Sequence, residues 1–267
     1  MAPSNAADQL TAARAYPLLV QGIPYPTPSE GEVIVKVAAT AVDSMDWAIQ
    51  SLVEVGAGDT KFKAGDRVAG LNAAFNSRSG AYQNYCALEA KITCPIRDDL
   101  SFTDAAVLPL GLGTAAPAFA DTVGLNGKTL LVWASSTSVG SNAVQLAVAA
   151  DCEVITTASP KNFEYYKKLG ASQPVSVDVI FEVVAKSDGA KFVASAPPIP
   201  EKLPEGIQAK MVCGGSLKDI EVGTVIFDQY LPATLAKKQY HCTPIDIVAW
   251  DKMKNESVSA TKLPITL

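Results

Sequence analysis

The chain has 267 residues, a formal net charge of −5 at pH 7 and 48% hydrophobic residues, which suffices for one large domain or two ordinary ones with a substantial core. No block of Lys or Arg stands out to neutralise phosphates, which argues against a nucleic-acid-binding surface. The N-terminus lacks the pattern of a secretory signal, and no apolar run has the length of a membrane span. We therefore expect a globular, cytoplasmic protein that binds neither nucleic acid nor membrane.

Cysteine and histidine are too few and too scattered to predict a metal site. The five cysteines form no CxxC pair, and His241 is the one histidine. A structural zinc site takes four Cys or His ligands, and a catalytic site usually takes three protein ligands. We therefore predict no metal, reduced intracellular thiols and a surface or boundary position for His241. The cysteines are Cys86, Cys94, Cys152, Cys213 and Cys242.

The N-terminal part of the chain is typical of a small β-barrel or sandwich, because short apolar runs alternate with Gly, Pro and Asp turns. The β-branched segment Gly31–Val42 predicts strand. Leu52–Leu71 predicts a strand, a glycine-rich turn and another short strand, and Ser79–Ile96 predicts one or two more.

The pattern changes near Arg97 to helices and then to alternating strand and helix. Asp98–Leu125 predicts Ala-rich helices that Ser101 or Thr103 caps and that Pro109 and Gly111 split. The alternation that follows predicts a parallel sheet with helical, right-handed crossovers, and so an α/β fold. Its predicted elements are strand Thr129–Ala134, helix Val139–Ala149 with Val139, Ala143, Leu146 and Ala147 on one face, strand Cys152–Ala158, and helix Asn162–Ala171 ending at a Gly170 cap.

The turn from Ala134 to Gly140 is either a dinucleotide cradle or part of one more buried β-α-β unit. Only Gly140 remains of the usual glycines, so the turn alone is a weak fingerprint. Its other residues include small hydroxyls that can cap the helix and donate to phosphate oxygens. The next strand ends in Ser159-Pro160-Lys161-Asn162, which has no carboxylate for a ribose 2′-OH and suits a 2′-phosphate. The alternative for Lys161 is an ordinary solvated lysine at a helix start.

Several stretches together resemble the medium-chain dehydrogenase/reductase superfamily, and above all its zinc-free fungal branch of enoyl reductase-like and quinone reductase-like proteins. That branch includes the trans-acting enoyl reductases of polyketide synthesis. The stretches are LVWASSTSVGSNAVQLA, TTASPKN and KKLGAS around the turn, GEVIVKVAATAVDSMDWAIQ, EVGAGDTKFKAGDRVAGL, GAYQNYCALEA and LPLGLGTAAPAF before it, and the C-terminal KLPITL. The resemblance implies a GroES-like β-barrel domain (residues 1–97, completed by 218–267) and a Rossmann-type doubly wound parallel sheet that binds NADP (residues 98–217).

The resemblance also implies a cofactor, NADP(H), and a set of contact residues. No His, Tyr or Glu general acid is evident, and hydride chemistry does not require one, because the cofactor delivers the hydride. Packing and helix breaking are the alternative for Leu108–Thr114. The implied pyrophosphate residues are Ser136, Thr137, Ser138 and Val139; those of the 2′-phosphate are Ser159, Lys161 and Asn162, with Pro160 between them; those beside the nicotinamide are Asp43, Ser44, Met45 and Asp46; and those bordering the substrate are Leu110, Gly111, Thr114 and Ala115.

The implied reaction is NADPH-dependent reduction of an activated C=C in an enoyl thioester or a quinone-like enone, in secondary metabolism, with a polyketide synthase as a candidate partner. Two junctions are shorter than the family pattern, one after Ser51 and one between Val179–Val184 and Phe192–Ala194, where a parallel crossover needs on the order of a dozen residues. True deletion, a faulty gene model and omitted loops all explain these junctions. They motivate an alternative, an inactive homologue that binds or scaffolds. A zinc alcohol dehydrogenase is disfavoured by the ligand inventory.

Overall fold

The computed structural model describes residues 4–9, 19–42, 62–72, 77–120, 125–133, 135, 137–175, 191–195, 207–211, 221–242 and 263–266. The chain divides into two compact units. The first contains Met1–Pro109, Thr224–Val258 and Lys262–Leu267, and the second contains Leu110–Gly223 and Ser259–Thr261. This division concerns packing and not ligands, so the assignment of residues 98–217 to cofactor binding stays a prediction.

The strands are short, and most of the helices span fewer than three turns. The strands are β1 (Asn5–Gln9), β2 (Leu19–Ile23), β3 (Glu32–Lys36), β4 (Ala39–Val42), β5 (Val68–Gly70), β6 (Tyr85–Glu89), β7 (Thr93–Pro95), β8 (Thr129–Val132), β9 (Glu153–Thr157), β10 (Gln173–Val175), β11 (Lys191–Ser195), β12 (Ile207–Met211) and β13 (Leu263–Thr266). The α-helices are α1 (Phe102–Ala106), α2 (Pro109–Ala115), α3 (Pro117–Ala120), α4 (Ser138–Ala149), α5 (Phe163–Lys168), α6 (Glu221–Thr224) and α7 (Leu231–Ala236). A π-helical segment, Val225–Tyr230, joins α6 to α7.

Antiparallel strand pairs build the first unit. β1 pairs with β2, β3 with β6, β4 with β13, and β5 with β7. The strands predicted over residues 31–42 and 79–96 are confirmed, each segment forming two strands. The pairing of β13 with β4 brings the C-terminal segment back to an N-terminal strand. Across the described residues these pairs do not close into a continuous barrel. The first part of the predicted segment 52–71 lies outside the described residues, and the short strand predicted at its end is β5.

A parallel sheet with helical crossovers forms the second unit, as the alternating pattern predicts. Its strand order is β10-β9-β8, and α4 and α5 are the crossovers. Gly170 has a φ of +98° after α5, and a Cβ there would lie 2.9 Å from Cγ2 of Val148. Only glycine combines this conformation with this close approach, so the predicted Gly170 cap is confirmed. β11 pairs in parallel with β12, and the predicted run Phe192–Ala194 lies within β11, whereas Val179–Val184 lies outside the described residues.

The apolar core of the second unit lies between the sheet and its helices. Val144 and Ala147 of α4 pack with Val132, Val154 and Tyr166 in this core. The predicted inner face of α4 is therefore only partly correct. Its residues Leu146 and Ala147 are buried, Val139 and Ala143 are half-buried, and the fully buried Val144 was not among the predicted residues.

The helices that follow residue 97 confirm one predicted boundary and correct another. Ser101 caps α1, since its hydroxyl accepts a hydrogen bond of 3.0 Å from the N–H of Asp104. Pro109 begins α2, where a missing N–H is tolerated. The prediction that Gly111 splits the helix is wrong, because α2 runs through it to Ala115. Glycine stands inside this helix because α2 packs closely against α4 at that position.

An exposed charge network in the first unit gives a pH prediction. Asp99 accepts from Nε of Arg97 at 2.5 Å and from Nζ of Lys238 at 2.6 Å. These hydrogen bonds, that of Arg97 first, lower the pKa of Asp99 to about 2. Because the folded pKa lies below the unfolded one, the stabilisation is complete above pH ~5 and is lost as the pH falls through the folded pKa of about 2.

We therefore expect Asp99→Asn to unfold at a lower urea concentration than the parent protein at pH 7. The difference between the two midpoints should shrink as the pH falls from 5 to 3. A difference that stays constant over this range would show that the Asp99 carboxylate does not contribute through its charge.

Candidate cofactor-binding site

The turn between β8 and α4 is fixed against the end of the neighbouring strand. β8 and β9 are parallel, so their carboxyl ends lie at the same edge of the sheet. Ser135 in the turn is fully buried, and its N–H and Oγ donate to the carbonyl of Thr157 at 3.2 and 2.7 Å. The hydroxyl of Tyr166 donates to the carbonyl of Ser135. Ser135 therefore anchors the turn inside the protein and does not present its hydroxyl to a phosphate, unlike the general expectation for the hydroxyl residues of this turn.

The first turn of α4 offers backbone N–H groups to an anion. Thr137 is the N-cap, and its Oγ1 accepts from the N–H of Gly140 at 3.0 Å. The N–H groups of Ser138 and Val139 have no acceptor within the part of the chain that the structure describes. Such groups at the positive end of a helix dipole bind phosphates. The predicted capping role of these hydroxyl residues is thus met by Thr137.

A glycine allows α2 to pack directly on this first turn. A Cβ on Gly111 would lie 2.4 Å from Oγ of Ser138 and 2.6 Å from Nδ2 of Asn142. Oγ of Ser138 is inaccessible to solvent and has no hydrogen-bond partner among the described residues. Nδ2 of Asn142 donates to the carbonyl of Ser138 at 2.6 Å, which ties the side chain to the same turn. Gly111 is therefore a packing position, and its contact with a substrate stays a prediction.

The other predicted substrate residues share this packing environment. Thr114 and Ala115 are 8% and 2% exposed, and Leu110 is half-buried. Leu112 on the same helix is fully buried. Packing accounts for the burial of this segment, and contact of these residues with a substrate stays a prediction.

The segment after β9 presents an exposed cation at the same sheet edge. Pro160–Asn162 forms one 3-10 turn, in which the N–H of Asn162 donates to the carbonyl of Ser159 at 2.8 Å. Ser159, Pro160 and Lys161 are exposed, and Asn162 is half-buried. The next carboxylate, Glu164, pairs with Nζ of Lys167 at 2.7 Å. Glu164 therefore does not neutralise Lys161. The donors Ser159, Lys161 and Asn162 suit a 2′-phosphate better than a ribose hydroxyl.

The remaining predicted cofactor residues lie outside the described residues. They are Asp43, Ser44, Met45, Asp46 and Ser136. The nicotinamide side of the site therefore stays a prediction.

The described residues contain no cluster suited to a metal ion. No group of three or more His, Cys, Asp or Glu occurs among them. Burial raises the pKa of Cys86 to about 12. Burial, and next the charge of Asp104, raises that of Cys242 to about 11. Both thiols are thus protonated at neutral pH and are not reactive thiolates. His241 is exposed, as predicted.

The helices of the described segments are all too short or too polar to cross a membrane.

The cap of α4 gives a stability prediction. Thr137→Ala removes the acceptor for the N–H of Gly140, and we expect unfolding to become easier by ~1 kcal/mol. Thr137→Ser keeps the acceptor and should remain close to the parent protein. Urea unfolding of the three proteins measures this. Equal midpoints for the alanine and serine variants would contradict a capping role.

Comparison with known proteins places this chain in a family. No family model matches the chain. The zinc-binding alcohol dehydrogenase domain-containing protein cipB of Emericella nidulans is 35% identical over 96% of this chain and 93% of its own length. The dehydrogenase pigH of Monascus ruber is 32% identical over 99% of this chain and 100% of its own. The trans-enoyl reductase himH of Aspergillus japonicus is 29% identical over 80% of each chain.

Solved structures show the same fold at lower identity. An alcohol dehydrogenase superfamily protein from Novosphingobium aromaticivorans has a TM-score of 0.81 at 18% identity, covering 99% of this chain and 100% of the other. A quinone oxidoreductase from Pseudomonas syringae pv. Tomato DC3000 has a TM-score of 0.73 at 20% identity, covering 98% and 99%. A mycobacterial protein solved with NADPH has a TM-score of 0.73 at 18% identity, covering 99% and 100%.

The fold and the relatives define an oxidoreductase with a GroES-like part and a Rossmann-type part, which confirms the predicted fold class. The chain belongs to the medium-chain dehydrogenase/reductase superfamily. Its relatives include fungal dehydrogenases, a fungal trans-enoyl reductase and a chloroplast envelope quinone oxidoreductase homologue of Arabidopsis thaliana.

The relatives also bear on the two short junctions. The alignment with the Monascus protein runs over 368 positions, whereas this chain has 267 residues. Because the alignment covers nearly all of both chains, the residues that this chain lacks are mostly internal ones. The chain is therefore internally shorter than this relative, as the two short junctions indicate.

Proposed function

We propose that the protein is a zinc-independent, NADPH-dependent reductase of activated C=C bonds. The observation that carries this proposal is the meeting of two phosphate-suited elements at one sheet edge. One is the N-terminus of α4 with its backbone N–H groups, and the other is the segment Ser159–Asn162 with the cation of Lys161. A carboxylate suited to a ribose 2′-OH is absent from this segment.

The residues of the described part fit such a cofactor. The N–H groups of Ser138 and Val139 would bind the pyrophosphate, and the Thr137 cap would hold that turn in place. Lys161 would bind the 2′-phosphate by a charge-assisted hydrogen bond, with Ser159 as a neutral donor beside it. NADPH, when bound, supplies the hydride for the reduction. Asp43, Ser44, Met45 and Asp46 are proposed beside the nicotinamide, and Leu110, Gly111, Thr114 and Ala115 along the substrate.

The proposed substrate is an α,β-unsaturated carbonyl compound. Relatives named as a trans-enoyl reductase and as a quinone oxidoreductase homologue support this class. An acyl thioester delivered by a polyketide synthase and a free enone or quinone are both members of the class. Secondary metabolism in the cytoplasm is the setting that we propose.

The first experiment is a titration with NADPH and with NADH. Trp133 is 46% exposed and directly precedes the turn, so energy transfer from tryptophan to the bound dihydronicotinamide reports on binding. We expect much tighter binding of NADPH than of NADH. Preference for NADH would contradict the 2′-phosphate role of Lys161, and absence of binding of either would contradict the proposed cofactor site.

The second experiment tests the reaction. Enoyl thioesters, enones and quinones are offered to the NADPH-loaded protein, and loss of NADPH absorbance is followed while metal analysis runs on the same sample. Turnover without bound zinc is the expected result. NADPH binding without turnover of any compound would favour the inactive scaffold, an alternative that no comparison supports. Zinc in stoichiometric amount would favour an alcohol dehydrogenase.

A further inference from the structure

Every polar group of Ser135 is used inside the protein. Its N–H and Oγ both donate to the carbonyl of Thr157, and its own carbonyl accepts from the hydroxyl of Tyr166. Ser135 and Tyr166 are 0% exposed, and Thr157 is 1% exposed. The turn is therefore held from two sides, by the end of β9 and by α5.

Tyr166 is an unusual residue for its place. Its ring packs in the apolar core among Val132, Val144, Val154 and Leu169, where a phenylalanine would fill the same space. A buried phenol hydroxyl is costly unless it finds a partner. Its partner is the carbonyl of the turn that precedes α4, so the hydroxyl serves the turn rather than the packing of the core.

The same anchor connects the two phosphate-suited elements. The carbonyl that accepts from Ser135 belongs to Thr157, two residues before Ser159. Movement of the turn therefore changes the position of the N-terminus of α4 relative to the segment that carries Lys161. Correct spacing of these elements is what a ligand with two separate phosphate groups requires.

We propose that Tyr166 is a positioning residue, which through Ser135 holds the turn in the geometry that binds a pyrophosphate. The inference rests on the proposed function, because it assumes a dinucleotide at this turn. Tyr166 itself touches no cofactor. A turn that is ordered before the ligand arrives loses less conformational freedom on binding. This matters in a turn that keeps only one of the usual glycines.

The test is Tyr166→Phe in the full chain with two ligands. NADPH contains the pyrophosphate, whereas adenosine 2′-phosphate contains the 2′-phosphate group but no pyrophosphate. We expect the variant to raise the Kd of NADPH by about 10-fold, as an unsatisfied buried carbonyl displaces the turn, and to leave the Kd of adenosine 2′-phosphate unchanged. The kcat at saturating NADPH should also be unchanged, since the hydroxyl touches no reacting atom.

Two further variants separate positioning from loss of stability. Leu169→Ala removes apolar contacts from the same core without changing a hydrogen bond of the turn, so it should lower the Tm and leave both Kd values unchanged well below that temperature. Ser135→Ala removes the bond from Oγ to the carbonyl of Thr157 and leaves the bond from the N–H in place. It should therefore give a selective loss of NADPH affinity in the same direction as Tyr166→Phe, but a smaller one. It serves as the second probe of the anchor in case the phenylalanine variant does not fold.

The outcomes are distinct. Equal weakening of both ligands by the Tyr166 and Ser135 variants, or no weakening of either, would overturn the positioning role while the proposed function stands. Failure of the parent protein to bind NADPH would overturn the proposed function and the positioning role together. Selective weakening of NADPH by the anchor variants, absent in Leu169→Ala, would establish the role.

Discussion

Gly111→Ala is expected to lower the free energy of unfolding of the second unit, because overpacking of this kind costs ~1–3 kcal/mol of stability. It is also expected to weaken NADPH binding about 10-fold or more, because the clash displaces the first turn of α4. Two physical effects oppose each other at this position. Alanine is the better helix former by ~1 kcal/mol. The new Cβ, however, would lie 2.4 Å from Oγ of Ser138, 2.6 Å from Nδ2 of Asn142 and 3.2 Å from the carbonyl oxygen of Ser138.

The contact with the backbone oxygen decides which effect prevails. The hydroxyl of Ser138 can rotate away, but Asn142 is 1% exposed and bonded to the same carbonyl. Relief of the clash therefore requires the first turn of α4 to move, and that turn carries the N–H groups offered to the pyrophosphate. The loss of packing should exceed the gain in helix propensity.

The packing role of Gly111 is tested by whether Gly111→Ala is less or more stable than the parent protein. Urea unfolding and NADPH titration are made on Gly111→Ala and on Gly22→Ala, where a Cβ would meet no atom within 4 Å. The Gly22 variant should bind NADPH like the parent protein. A Gly111 variant that is more stable than the parent and binds NADPH equally well would show that the approach of α2 to α4 can relax without disturbing the site.

Local patterns predicted the strands and helices of the second unit well, for an identifiable reason. Its strand β8 is an uninterrupted apolar run, and α4 and α5 each follow a small or polar capping segment. The buried face of α4 was less predictable. Ser141, Asn142 and Gln145 are buried polar residues on that helix, and hydrophobic periodicity assigns such residues to solvent.

The anchors of the site were not predictable from the sequence for a related reason. Tyr166 lies in an amphipathic helix, where a tyrosine is ordinarily a packing residue, and its bond to Ser135 joins positions 31 residues apart. Gly111 suggested a helix break, whereas its function depends on α4, which begins at Ser138. Both residues act through a distant partner, and a single sequence contains no record of such pairs.

Lys161→Ala is expected to lower the affinity for NADPH about 10- to 100-fold and to leave that for NADH unchanged, because a hydrogen bond between a charged side chain and a phosphate contributes ~1.5–3 kcal/mol. Lys161 is exposed and lies in a single 3-10 turn. Its truncation should therefore leave the stability of the fold close to that of the parent protein, which makes the affinity change interpretable.

A matched lysine provides the control for charge alone. Lys168 is exposed at the end of α5, in the same unit, so Lys168→Ala removes the same charge without removing a phosphate ligand. The dependence of NADPH affinity on salt concentration should become weaker in Lys161→Ala than in Lys168→Ala, since salt screens the attraction between a lysine and a phosphate. Equal losses of NADPH affinity in the two variants would show that Lys161 acts only through the overall positive charge of this surface.

Ser159→Asp added to Lys161→Ala introduces a carboxylate that can bind a ribose 2′-OH, and this double variant should have a higher affinity for NADH than the parent protein. If this double variant prefers NADH to NADPH, the result would place the 2′-phosphate of NADPH at the end of β9.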